Sequence, residues 1–469
     1  MFKIIANEWT ILLRSKVLTY LTILFTIGLS LVTFLSIQQN KAQLAQQKAA
    51  QAHIREQWES IDAMNPHSAA HFGTYAFKPI NALSSLDEGV NAITGNVLRL
   101  EGHVQNEIVY SEASQSLSIS KFGKLKPSLL LQYIIPLVLI FLAFSSVSSE
   151  KESGRLKLLV FQGAPLSKII LSKALSIWLY GLGLLTLTII CQTVINWNSA
   201  SSDGFERMLF IYLVYAAYYY IIASLSVFFS AKLKNSTAAL SSMLSVWILW
   251  TIFLPKLWGN TIDKLHPLPS RQSFKAAMQE DRAKGIDGHN PSDQREKELK
   301  EKVLAKYKVD SIEQLPINFD GIVMQADEEY GNQVWDKHFG NNYQILQRQK
   351  SWYQYAGLIN PYAALQSASM GYSGSDMLHH LDFLKKAELY RRVLIKTLND
   401  KHAYGGSKSG DWNWKANNAF FKSIKDFEYT APSVQKATAF YMTDLFSLGC
   451  WIALSTFIVL FNAKKIKLV

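Results

Sequence analysis

The chain has 469 residues, of which 49% are hydrophobic and 18% charged, with 48 lysines and arginines against 36 aspartates and glutamates. A soluble protein of this length would spread its apolar residues over about two to four domains, whereas here they gather into nearly uncharged runs of about 20 residues, enough to cross a ~30 Å hydrocarbon core as helix. That distribution excludes an ordinary soluble enzyme, and the two long polar blocks between the runs exclude a compact channel.

In chain order, residues 1–16 begin MFKIIANEWTILLRS, with Phe2, Ile5, Trp9, Leu12 and Leu13 at helical spacing. Arg14 and Lys16 interrupt the apolar run. The pattern therefore predicts an amphipathic helix lying in the membrane interface, with Trp9 at headgroup level, and not an early extension of the first span. Spans are predicted at Val17–Ile37, Leu129–Val147, Leu175–Ile195, Leu209–Ser230, Ala238–Trp258 and Tyr441–Ala463. The first is too long and uninterrupted for a cleaved signal peptide and reads as an uncleaved anchor.

The first polar block, 38–127, opens on Ala, Gln, Lys and Glu, which predict a helix continuing out of the membrane. Turn-rich sequence follows, and Ile108–Ile119 has the composition of short strands. In the loop 148–174, Gly154 separates an acidic start from an apolar-basic helical turn, and Gly163, Pro165 and Ser167 launch the third span. Leu156, Leu159 and Val160 form an apolar edge that needs a partner surface. The second block, 259–438, alternates charged helical patterns (Asp293–Lys306, Asp320–Gln349, Met377–Asn399) with Pro, Gly and Asn clusters. Residues 404–418 read as an exposed loop, and no repeat occurs at a solenoid period.

Placement of cations sets the orientation. With a cytoplasmic N-terminus, the cytoplasmic segments are 1–16, 148–174, 231–237 and 463–469. They carry Lys3, Arg14, Lys16, Lys151, Arg155, Lys157, Lys168, Lys173, Lys232, Lys234, Lys464, Lys465 and Lys467 against only Glu8, Glu150 and Glu152. These segments hold ten of the net +12 charges, so the basic balance is a topology signal and no nucleic-acid partner is expected. Cys191 and Cys450 fall inside spans and read as packing residues, not as an exported disulfide framework.

The chemistry available to this chain is narrow. No phosphate-cradling G-x-x-x-x-G-K-[ST] loop exists; GGSKSG at 405–410 lacks the spacing. ATP would have to be hydrolysed by another subunit. All ten histidines lie in the polar blocks, a segregation that topology alone explains because histidine is disfavoured in lipid. His67 and His71 are spaced i, i+4, although Pro66 and Gly73 argue against a continuous helix there. His379 and His380 are adjacent and point about 100° apart on a helix, a poor chelating geometry. A structural role is the preferred reading, with His67, His71, His379 and His380 the weak metal candidates. G-x-S-x-G and H-E-x-x-H are both absent, and sets such as His338, His379 and His380 with Asp376 and Asp382 arise in any polar block of this size. Tyr218, Tyr219, Tyr220, Trp247, Trp250 and Trp451 should anchor at interfaces or pack between helices. Asp444 and Lys256 lie at span ends, where snorkelling to water is the preferred reading.

The loop after the second span resembles the cytoplasmic coupling segment of ABC-2 type permeases. Glu150, Lys151, Glu152, Gly154, Leu156, Leu159, Pro165 and Lys173 fit that family's E-x-E-x-G-x-L…P…K pattern. HFGTYAFKP (71–79), LDEGV (86–90), PLPS (267–270), GIDGHNP (285–291), LPINFDG (315–321), NPYAALQSASM (360–370) and GSDMLHHLDF (374–383) are similar to a branch related to multicopper-enzyme maturation permeases, which carries a large uncharacterised periplasmic insert. The resemblance implies a mostly α membrane protein of the bacterial inner membrane, with six transmembrane helices, an N-terminal elbow helix and a largely helical periplasmic domain built from two insertions. It implies a permease subunit that pairs with a second copy or a sister permease and works with ABC ATPase subunits. ATP and Mg would sit on the ATPase, with no cofactor on this chain. Coupling would pass through Glu8, Trp9, Glu150, Glu152, Gly154, Arg155, Leu156 and Leu159, and membrane lipid and a periplasmic or outer-membrane protein are further expected partners. The departure is size: about 180 residues separate the fifth and sixth spans, where many relatives have a short re-entrant hairpin. A membrane-anchored periplasmic sensor or scaffold, linked to a metal or metallophore, is the alternative.

Overall fold

Among the described residues, six helices are long and apolar enough to cross a membrane: Leu18–Glu59, Pro127–Glu152, Leu166–Ile195, Ser202–Lys232, Ser236–Leu265 and Val434–Ala463. The computed structural model describes residues 1–14, 16–106, 125–195, 202–288 and 290–463. The strands expected in Ile108–Ile119, His289, and the cations Lys464, Lys465 and Lys467 lie outside the described residues. Each helix overruns the span read from hydropathy, because good helix formers carry it past the apolar run. The loop expected at 148–174 is accordingly shorter, since Leu166–Ile195 is one helix that includes Lys173.

The first span belongs to a 44-residue helix, Lys16–Glu59. At 1.5 Å per residue it is about 66 Å long, twice the hydrocarbon thickness. From its middle outward it is stitched to the rest of the first polar block: Ser36 Oγ donates to the Ser85 carbonyl at 2.6 Å, Asn40 Nδ2 to the Asn81 carbonyl at 3.1 Å and Gln47 Nε2 to the Lys78 carbonyl at 2.7 Å.

Two spans contain proline, and both solve it in the same way. The backbone widens into a π-helical turn at Leu130–Ile134, just before Pro136, and at Leu249–Phe253, just before Pro255. In such a turn the carbonyl five residues back would accept from the proline nitrogen, which carries no hydrogen. Those carbonyls are Leu131 and Trp250. Tyr219 OH donates to the first at 2.8 Å and Asn360 Nδ2 to the second at 2.8 Å. In lipid each backbone carbonyl needs such a partner.

The two polar blocks interlock. Ala63–Met64 pairs antiparallel with Ala416–Asn417, and Thr74–Phe77 pairs antiparallel with Val97–Leu100 in the register Thr74↔Leu100. Around them stand the helices Phe319–Ala356 and Met377–Tyr404. Trp58, Ala69 and Ala70 from the first block share one apolar core with Leu394, Leu398 and Phe421 from the second. Segment 404–418 is a largely exposed loop, as its composition predicts, but it is tethered to the first block. Ser407 is buried, and Asn65 Nδ2 donates to the carbonyls of Trp412 at 3.0 Å and Trp414 at 3.3 Å. Polar residues here mate with another polar block, which periodicity cannot show.

The helix Pro361–Tyr372 plugs the insert end of the bundle, and Tyr362, Leu365, Ala368 and Tyr372 join the same core as the spans. Gly371 lies flat against the Tyr441 ring, where a Cβ would come within 2.1 Å of Cζ. A dry polar knot fixes the plug. Ser369 Oγ bonds Asp87 Oδ2 at 2.5 Å, and Gln132 Nε2, inside the π turn, reaches Asp87 at 3.3 Å and Tyr215 OH at 3.0 Å. Burial raises the Asp87 carboxyl above its ordinary value despite these bonds.

Asp444 does not snorkel. It is fully buried, accepting from Gln354 Nε2 at 2.7 Å and Ser367 Oγ at 2.8 Å. Lys256 is exposed, as expected. Tyr218 and Tyr219 are fully buried, and Trp250 meets Trp451 edge-on at 5.1 Å, so these aromatics pack between helices. Cys191 and Cys450 are both free thiols.

Candidate coupling site and histidine cluster

At the short-loop end, the elbow helix Phe2–Arg14 packs against the third-span helix Leu166–Ile195. Trp9 is half-buried against the span core. The loop folds into two short helices, Ser148–Glu152 and Arg155–Phe161. Gly154 turns the chain between them with φ +74°, a left-handed conformation that costs other residues about 1–2 kcal/mol.

One cation joins these parts. Lys173 Nζ lies 2.6 Å from Glu8 Oε1 and 2.9 Å from Glu150 Oε1, with only 2% of the lysine side chain exposed. It ties the elbow and the loop to the root of the third span. Burial raises the Glu8 carboxyl above its ordinary value, Lys173 pulls it back, and the Glu150 charge adds to the rise. The loop is pinned on its other side as well. Lys151 Nζ donates to the Ala231 and Leu233 carbonyls at 3.2 Å each, and Glu152 Oε1 accepts from the Ser236 backbone N–H at 3.2 Å.

The apolar edge of the loop finds the partner surface it needs within the chain. Leu156 is fully buried, and Leu159 and Val160 pack against the same span core. A foreign subunit therefore cannot touch Leu156 in this arrangement. The side chains left open include Leu158, Phe161 and Phe2, the last two 85% and 88% exposed, and Arg155.

Residues 2–306 match the family described as ABC-2 family transporter protein. The chain belongs to that family. Residues 271–430 match a domain of unknown function, DUF3526. No curated protein and no solved structure matches the chain. This ABC-2 permease is a multi-pass membrane protein, and its family implies an ABC ATPase partner and usually a dimer.

In the permease's polar blocks the candidate metal-ligating histidines fall into two groups. Pro66 and Gly73, expected to disrupt a helix, instead begin and end one. Pro66–Phe72 starts with proline at its first position, is capped by Asn65 Oδ1 accepting from the His67 backbone N–H at 2.8 Å, and stops at Gly73. The His67 and His71 rings consequently lie 4.6 Å apart, and His103 joins them at 5.4 and 5.1 Å. Burial, then the neighbouring His71 and His103, pulls the His67 ring down to about 4.

His379 and His380 are elsewhere and do not converge on a ligand set. His379 Nδ1 bonds Asp376 Oδ1 at 2.7 Å at the start of Met377–Tyr404. His380 is buried, and burial with the Lys78 charge beside it lowers it to about 4.

Sequence reading passed over Lys173 as a site residue, although it is the final position of the E-x-E-x-G-x-L…P…K pattern. Asp87 and Ser369 lie within LDEGV and NPYAALQSASM, segments singled out only for resemblance. His103 had no signal at all: it sits in a turn, with φ +63°, 32 residues or more from its partners.

Proposed function

We propose that this permease couples ATP hydrolysis on a separate ATPase subunit to substrate export or to mechanical work in the periplasm. The observation that supports this most directly is the buried Lys173, which holds Glu8 and Glu150 at 2.6 and 2.9 Å. Pressure on either the elbow or the loop is thereby delivered to the helix Leu166–Ile195. Helices tied by buried ion pairs move as units, because separating the charges in a dry setting costs several kcal/mol. Arg155, Leu158 and Phe161 form the face offered to the ATPase, with Glu152 and Gly154 setting its angle.

In this reading the N-terminus and the loop are cytoplasmic, following the excess of cations at that end, and both polar blocks are periplasmic. A second copy or a sister permease completes the membrane portion, and ATP and Mg stay on the ATPase.

Purification in mild detergent together with the ATPase subunit tests the reading. Glu152→Gln and Gly154→Val should each lower permease-stimulated ATP turnover by about tenfold or more, a loss of some 1.4 kcal/mol of coupling. A passive membrane scaffold would show unchanged turnover with both variants, and that result would overturn the proposal.

A further inference from the structure

We propose that His67, His71 and His103 form a binding site for a borderline divalent metal ion of the Zn2+ or Cu2+ type. The two helical histidines present Nε2 atoms 3.2 Å apart. Two imidazole ligands of a tetrahedral ion, each about 2.05 Å from the metal, stand about 3.3 Å apart. Ligand atoms of all three histidines lie within 4.8 Å of one another, so small ring rotations bring them onto one centre.

The outer support is already built. His103 Nδ1 lies 3.0 Å from Glu328 Oε1, and the His103 backbone N–H donates to the same carboxylate. Glu328 is buried and held in turn by Arg391 Nη1 at 3.0 Å. A carboxylate on one ring nitrogen fixes the tautomer and orientation and leaves Nε2 to ligate, the arrangement metal-bound histidines commonly use.

Protein groups alone serve the cluster poorly. His67 Nδ1 is buried with no hydrogen-bond partner among the described residues, and two Nε2 atoms face each other across a single shared contact. Trp412 covers one side, its ring 5.6 Å from His67, while His71 is exposed and leaves a path from solvent. Three imidazoles with no direct carboxylate ligand suit zinc or copper and do not suit calcium or magnesium. Because the ligands come from the first polar block and Glu328 from the second, a bound ion would brace the two together. None of this depends on the ATPase coupling proposed above.

The test uses the full-length permease in detergent, purified without a polyhistidine tag, stripped with a chelator and titrated separately with Zn2+, Cu2+ and Co2+. One ion per chain should survive dialysis. The Co2+ form should show the visible bands of an imidazole-ligated tetrahedral ion, a readout that needs no substitution. His71→Ala and His103→Ala should each weaken Zn2+ binding by about tenfold or more, while His53→Ala, at an exposed histidine outside the cluster, leaves it unchanged. The exposed ring of His71 makes the metal-free unfolding midpoint of His71→Ala equal to wild type. Failure of the wild-type chain to retain a stoichiometric ion, or Zn2+ binding by both cluster variants at wild-type affinity, overturns the site.

Discussion

Asn360 shows how much a single side chain carries in a helix bundle meant for lipid. Its amide supplies the hydrogen bond that Pro255 denies to the Trp250 carbonyl. Asn360→Ala should therefore lower stability by about 1–3 kcal/mol, the cost of leaving one buried polar group unpaired, read as a drop in the thermal midpoint in detergent. Asp376 is a second such residue. Burial alone would raise its carboxyl, but the His379 hydrogen bond, the Lys350 and His379 charges and Tyr441 OH at 2.6 Å outweigh burial and hold it well below the usual range. A depressed carboxyl contributes its stability above the unfolded value of 3.8 and loses it as the pH falls through and below that value. Asp376→Asn should thus destabilise the protein at pH 7, and the gap to wild type should close on acidification below 3.8. A gap that stays constant with pH would contradict this. Asp444 marks the limit of sequence reading at this scale: its position near a span end was visible, but Gln354 and Ser367, which make burial tolerable, were not.

Among the elements, helices were the most legible. The six spans and the long helical patterns of the second block all follow from apolar periodicity and helix-forming composition, which are local properties. Their ends were less so, since a helix continues as long as its residues and contacts permit. The loop 148–174 illustrates the gap. Its apolar edge needs a partner surface, and only the packing shows that the chain's own spans supply it to Leu156 and Leu159. Lys173 binds this element to the elbow, and Lys173→Ala should cost about 3–5 kcal/mol, because it strands two half-buried carboxylates. Comparing it with the double variant Glu8→Gln/Lys173→Ala in thermal unfolding should recover part of that loss. No recovery would mean that the pair carries little stability.

For the whole molecule, the decisive feature is that the two polar blocks form one folded body on top of the bundle. Trp58 stands at the junction, 3% exposed, donating to the Gly73 carbonyl at 3.0 Å and packed against Phe72 and Phe421. Trp58→Ala should cost about 3–5 kcal/mol, and limited proteolysis should then open both blocks together. Cleavage confined to the first block would show instead that they fold independently.

Sequence by itself determined the number of spans, the gathering of positive charge in the short segments between them, the helical class and the family pattern in the loop 148–174. Hydrophobic length, charge placement and helix propensity act within a few turns of chain, and their effects add. Only the tertiary structure decided that Lys173 meets Glu8 across 165 positions, that Asn360 repairs the Trp250 carbonyl across 110, and that His103 and Glu328 stand beside His67 and His71. Those pairings exist because buried polar atoms must find partners wherever packing brings one within about 3 Å, and distance along the chain has no bearing on that search.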